Sequence, residues 1–153
     1  MEGILARMPV IVVGADTESG AAILERLYQP RREIRAFVSD EATGRKLRER
    51  GFKVAIGDVS DSSHVEGAAT RCFSAVLISE AARDDRERAF AGTSEEVLEG
   101  WADAVGRSQV TRVIWVTTEE HPETKVSEVA TVDPGRPDLA DVVFRLDEAH
   151  SIS

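Results

Sequence analysis

The chain has 153 residues, 42% of them hydrophobic, which is enough to bury one compact core and sets the expectation of a single domain over residues 1–153. Its formal charge of −9 argues against direct docking on nucleic acid, which needs clustered Lys and Arg to displace counterions. Cys72 is the only cysteine and makes no internal disulfide. The opening MEGILARMPVIVV has too short an apolar run for a leader or a spanning helix, so the expectation is a soluble, cytoplasmic chain with no membrane partner.

In chain order, apolar β-branched runs alternate with helix-period segments, the pattern of βαβ units around a parallel sheet. PVIVV (Pro9 to Val13), EIRAFV (Glu33 to Val38), KVAIG (Lys53 to Gly57), SAVLIS (Ser74 to Ser79), RVIWVTT (Arg112 to Thr118) and DVVFRL (Asp141 to Leu146) read as six strands. Several are continuous rather than alternating, as strands covered on both faces are. Ala21 to Tyr28 places Ile23, Leu24 and Leu27 on one helical face and stops before Pro30. A second helix follows Asp40 and ends at Gly51, and a third starts at Ser60 or Asp61, either of which can cap it. A fourth opens on the capping box of Thr93 and Glu96, carries Val97, Leu98, Trp101 and Val105 at helical spacing, and stops at Gly106. The polar stretch Ala81 to Gly92, containing RDDRER, reads as a mobile loop or frayed helix entry with a solvated charged face. EEHPETKVSEVATVDPGRPDLA, with Pro122, Pro134 and Pro137, reads as irregular surface chain before the last strand. The fold class is therefore α/β: a Rossmann-like, doubly wound parallel sheet of order 3-2-1-4-5-6 in three α/β/α layers.

The turn after the first strand carries the chemistry. In VVGADTESGAAIL, Gly14 and Gly20 fill the outer positions of a G-x-x-G-x-x-G turn, where one glycine allows the tight bend and the other lets helix pack on strand. Thr17 stands at the middle position, where backbone approaches a pyrophosphate. Its hydroxyl, with Ser19 beside it in the loop, is able to meet a phosphate, while its bulk and the neighbouring Asp16 and Glu18 oppose an anion at a helix N-terminus that otherwise favours one. Asp40, twenty residues beyond Gly20, is positioned to hold a ribose hydroxyl, one place late in the dinucleotide fingerprint.

GADTESG, the block IRAFVSDEATGRKLRERGFKVAIGDVSD and VTRVIWVTT together resemble the NmrA-like branch of the atypical short-chain dehydrogenase/reductases, over roughly Pro9 to Thr118. The resemblance implies an NAD or NADP site along the strand ends, with Gly14, Thr17, Ser39, Asp58 and Val59 near the cofactor. Asp58 either meets adenine or ribose or caps the helix that follows it. Ser39 stands where the family often has an arginine for the 2′-phosphate of NADP, so the expectation is weak or lost dinucleotide binding without NADP selectivity. The resemblance also implies a homodimer through the fourth helix and its neighbour, or a regulatory protein partner.

The superfamily's proton donor is a tyrosine four residues before a lysine after the fifth strand, but the only tyrosine here is Tyr28, at the end of the first helix. Thr117, His121 and Lys125 are the remaining candidates beside the fifth strand; a lone histidine in a polar loop is ordinarily solvated surface, and His64 and His150 read the same way. Trp101 and Trp115 read as core, Cys72 as an unreactive thiol, and no metal-ligand spacing is present. Only DEAHSIS follows the sixth predicted strand, where the family continues into a region that closes over substrate. These residues leave three readings: a minimal dinucleotide-binding domain without turnover, acting as nucleotide sensor or interaction module; an NAD(P)H-dependent reductase of flavins or small carbonyl or quinone acceptors; and a TrkA-N-like ligand-binding regulatory domain of ion transport.

Overall fold

Five of the six predicted runs form strands of one sheet: β1 (Val10–Val13), β2 (Ile34–Val38), β3 (Lys53–Ile56), β4 (Ser74–Ile78) and β5 (Arg112–Val116). The structure is a computed structural model that describes residues 8–152; the MEGILAR part of the opening stretch lies outside them. β1, β4 and β5 are buried at every position, which is why their sequences run continuously apolar. Among the described residues the sheet is parallel throughout, in the order 3-2-1-4-5-6, with Val10 opposite both Ile34 and Ser74.

The sixth strand is not Asp141 to Leu146. β6 is Glu128–Val132, within the proline-bearing stretch expected to be irregular, and DVVFRL lies inside a helix, α6 (Leu139–Glu148). Leu139, Val143 and Asp147 are buried at i, i+4 and i+8, one face of a helix, and that periodicity overrides the strand-like look of two adjacent valines. β6 is an edge strand with only Val132 fully buried, so it carries no apolar run to announce it. A helix, rather than a bare tail, therefore follows the sixth strand.

The other helices are α1 (Glu18–Leu27), α2 (Glu41–Glu49), α3 (Ser62–Ala68), α4 (Glu80–Arg83) and α5 (Ser94–Arg107). Thr17, Asp40, Asp61 and Thr93 cap α1, α2, α3 and α5, each side chain accepting a hydrogen bond from the amide three residues on. Of the two candidates for α3, Asp61 is the cap. α5 runs one residue past its predicted stop at Gly106. Helices α1, α2 and α6 pack on one face of the sheet around Val10, Val12, Ile23, Leu47 and Val143, and α3 and α5 on the other around Ile11, Val13, Val65, Leu98 and Trp101.

Two arginines hold α6 in place. Arg112, fully buried at the start of β5, donates from Nη1 to the carbonyls of Leu146 (2.7 Å), Asp147 (3.0 Å) and Ala149 (2.8 Å), so a cation meets the carbonyl end of the helix. Its Nε donates to Glu128 Oε1 of β6 at 2.7 Å, which balances the charge. Arg32 forms a buried pair with Asp147 and also donates to the Met8 carbonyl at 2.9 Å. Asp147→Ala leaves Arg32 buried without its counterion, so urea denaturation is expected to show a loss of about 3–5 kcal/mol. Asp141→Ala, also in α6, removes the exposed pair with Arg26 of α1 and is expected to cost no more than about 1 kcal/mol.

Candidate functional site

A parallel sheet brings the C-terminal ends of its strands to one edge, and the predicted cofactor residues gather there. After β1 the chain turns at Gly14 with φ +89°, a left-handed conformation that favours glycine. A Cβ at Gly20 would collide with the Gly14 carbonyl and stand 2.7 Å from the Cα of Ala15, so Gly20 is required by contact as Gly14 is by its backbone conformation. Thr17 is turned into the loop and nearly buried: its Oγ1 donates to the Gly14 carbonyl at 2.7 Å and accepts from the Gly20 amide at 3.0 Å. The side chain expected to crowd a pyrophosphate thus caps α1, and the first-turn amides of Glu18 and Ser19 lie at the helix start, where no intrahelical partner exists for them.

Asp16 does not stand free to repel an anion. Its Oδ2 accepts from the amides of Ser39 (2.8 Å) and Asp40 (3.2 Å), and its Oδ1 accepts from Arg86 Nη1 at 2.9 Å. Arg86 also donates to Ser39 Oγ at 3.3 Å, so an arginine stands beside Ser39 after all, delivered from the loop after α4 instead of from β2. Asp40 is committed to capping, accepting from the Thr43 amide at 2.9 Å and hydroxyl at 2.6 Å; those hydrogen bonds hold its carboxyl below the usual aspartate range.

The charged run therefore differs from expectation. Residues 84–90 form a strap across the ends of β1, β2 and β3, because intramolecular pairing removes the cost of laying charged groups on the fold. Asp84 accepts from Arg86 Nε (2.8 Å) and Nη2 (2.7 Å) and from Arg88 Nη1 (3.2 Å). Burial opposes the charge on Arg86, but Asp84 and Asp16 outweigh it and hold the guanidinium above the ordinary arginine value. Farther along, the amides of Ala89 and Phe90 donate to Asp58 Oδ2 (2.7 Å) and Ser60 Oγ (3.0 Å). Asp58 Oδ1 accepts from the Ser60 amide (2.8 Å) and hydroxyl (2.6 Å), so Asp58 is not the cap of α3; Asp61, three residues on, takes that role. Val59 is buried, its carbonyl accepting from Trp101 Nε1 at 2.7 Å.

The candidates beside β5 do not converge. Thr117 is buried and its hydroxyl accepts from the Glu119 amide at 3.2 Å. His121 stacks on Trp115 with ring centroids 4.8 Å apart; Nδ1 lies 2.9 Å from the Pro122 carbonyl and Nε2 2.9 Å from Thr131 Oγ1. It borders an open cavity of about 490 Å³ with Arg83, Glu99 and Glu119, whereas Lys125 borders a different groove with Asp103, Arg107 and Glu123. Tyr28 ends α1 at the opposite edge of the sheet, against Phe52. Burial pushes the Cys72 thiol up to about 11, in keeping with an unreactive side chain.

Arg86 is the residue that sequence reasoning missed, and its signal, an arginine in a mixed-charge run, is indistinguishable from solvated surface. Asp58 and Asp84 titrate below the ordinary aspartate value: burial opposes this, but hydrogen bonds from Ala89 and Ser60, and from Arg86, prevail. A carboxyl depressed in the fold stabilises it above the unfolded pKa, and that contribution disappears as pH falls through the folded value. Denaturation between pH 7 and 3 is expected to show stability falling below about pH 4, with a shallower slope in Asp58→Asn.

The family profile described as NAD(P)H-binding matches residues 14–134. No curated protein sequence is significantly similar to the chain. Among solved structures it is similar to ChuY, an anaerobilin reductase from Escherichia coli O157:H7 (24% identity, TM-score 0.56, 72% of this chain and 50% of that one). It is also similar to the Citrobacter sp. triphenylmethane reductase complexed with NADP(H) (18%, 0.59, 71% and 37%) and to the Escherichia coli NADPH-dependent quinone oxidoreductase complexed with NADPH (19%, 0.57, 71% and 36%). The chain spans half or less of the length of these structures, and at such identities the likeness establishes the fold. With Gly14 set by its backbone conformation and Gly20 by contact, a 3-2-1-4-5-6 sheet and a profile match over most of its length, the chain belongs to the NAD(P)H-binding family, on a Rossmann-like fold.

Proposed function

We propose that this domain holds a dinucleotide without turning over a substrate and passes the occupancy of the site to a protein partner. The observation that carries the reading is the contrast between the two halves of the strand-end edge. On the β1–β3 side the turn, the helix start and the strap are built around one place. On the β5 side Thr117 is buried, both nitrogens of His121 are engaged, and Lys125 faces elsewhere. General acid catalysis needs a donor within hydrogen-bond reach of the reacting atom, and among the described residues beside β5 none is presented in that way.

The strap supplies the means of reporting. It is held by Asp16, Ser39, Asp58 and Ser60, residues at the ends of three strands, so a ligand there competes with the strap for the same groups. That competition makes the affinity weak, with Kd above about 1 μM. The partner is a second copy or a regulatory protein; the outward face of α5 carries Glu95, Glu96, Glu99 and Asp103, which repel their own copies and favour a partner with a basic surface. A soluble, cytoplasmic setting fits this role, and no helix among the described residues is long and apolar enough to cross a membrane.

A second reading, a reductase that works by positioning the nicotinamide alone, is favoured by the cavity of about 490 Å³ beside His121 and by the reductases named among the similar structures. The decisive measurement incubates the protein with NADH or NADPH and a panel of quinones, flavins, aldehydes and ketones, following loss of nicotinamide absorbance. Cofactor binding by calorimetry without protein-dependent oxidation is the expected result. Steady oxidation near about 1 per second replaces the sensor with the reductase.

A further inference from the structure

Asp16 sits in an anion cradle of the protein's own making. Its carboxylate takes the amides of Ser39 and Asp40 at 2.8 and 3.2 Å and the Arg86 guanidinium at 2.9 Å, and its side chain is only 6% exposed. Arg86 is 12% exposed and cannot drift, because Asp84 grips its Nε and Nη2 from the other side. Two amides and a guanidinium converge on one carboxylate, and the Ser39 hydroxyl lies against the same guanidinium, accepting from Arg86 Nη1 at 3.3 Å. That is the donor set of a phosphate site, occupied by a side chain.

Its place in the fold says which phosphate. In a dinucleotide fold the residue at the end of the second strand, about twenty beyond the glycine turn, faces the adenosine ribose, where an acid accepts from the 2′-hydroxyl of NAD and an arginine accommodates the 2′-phosphate of NADP. Ser39 and Asp40 are those residues, at the end of β2. Both kinds of partner are present here, but neither comes from β2: the acid reaches over from the glycine turn and the arginine from the strap, and they are already paired with each other.

We propose that Asp16 is the residue that sets the preference of this site, selecting NAD over NADP. A 2′-phosphate would meet the Asp16 carboxylate in its own position and find the two amides and the Arg86 guanidinium taken, whereas a ribose hydroxyl donates to that carboxylate without displacing it. Arg86 is the latent half of the site: with Asp16 absent, its charge, the Ser39 hydroxyl and the two amides are free to bind a dianion. The inference rests on the reading of the strand-end edge as a dinucleotide site.

The test compares Kd for NADH and NADPH in the wild type, Asp16→Ser, Asp16→Asn and Asp16→Ser/Arg86→Gln, with adenosine 2′,5′-bisphosphate as a probe that lacks the nicotinamide half. The wild type is expected to prefer NADH by about tenfold or more. Asp16→Ser clears the cradle and is expected to tighten NADPH and the bisphosphate by about tenfold while NADH moves by less than about threefold. Asp16→Asn removes the charge but keeps the shape, and gives a smaller shift in the same direction. Adding Arg86→Gln returns NADPH to the wild-type value. A merely structural role for Asp16 weakens both nucleotides together, and an unchanged NADH to NADPH ratio in Asp16→Ser and Asp16→Asn overturns the assignment while leaving dinucleotide binding intact. Failure of all four proteins to bind either nucleotide overturns the dinucleotide reading, and this inference with it.

Discussion

The contact between the start of α1 and the end of β1 is the constraint from which the rest of the site follows. Gly20 lies against the backbone of Gly14 and Ala15 with no room for a Cβ, and the positive φ of Gly14 makes the bend that brings them together. Thr17 closes the turn from within by bonding to both glycines. Once its hydroxyl is spent on the loop, the middle position no longer needs to be glycine for the turn to form. It needs a side chain that folds inward, and a threonine at an N-cap does so.

The same turn aims Asp16 at the end of β2, and this changes what the charge of the chain means. A net −9 makes an anion site unfavourable on average, yet at the strand-end edge Arg86 and Arg88 stand directly against Asp16 and Asp84. Average charge describes long-range steering; binding at a cleft answers to the few groups within a Debye length of about 8–10 Å. The strap converts a mixed-charge run into that local balance by pairing its own acids and bases before touching the rest of the fold.

The parts of the structure that were legible from sequence are those governed by local rules. Buried β-branched runs marked β1, β2, β4 and β5, and Asp40, Asp61 and Thr93 marked helix starts, because a strand buried on both faces and an N-cap each have a signature within a few residues. β6 was hidden for the converse reason: half exposed at the edge, it needs few apolar residues, while Val142 and Val143 of α6 imitate a strand until Leu139 and Asp147 are counted with them. In the site, Gly14 and Gly20 were readable from their spacing. Arg86 was not, since its meaning comes from Asp16, seventy residues earlier, and no periodicity links the two.

Two buried or nearly buried ion pairs in this fold illustrate opposite uses of the same chemistry. Arg32 and Asp147 are enclosed on all sides, so nothing can replace either partner and the pair serves only to tie α6 to the start of β2. Desolvating two charges is costly, and such a pair persists because breaking it is costlier still. Asp16 and Arg86 lie at the strand-end edge, nearly buried but not sealed, with 6% and 12% of their side chains exposed. There the desolvation has been met in advance and the donors are already oriented, so an incoming acceptor has only to match what the carboxylate supplies. A group that competes for those donors must bring at least as good an anion, whereas a group that adds a hydrogen bond to the carboxylate leaves the donors in place and meets only the competition of the strap.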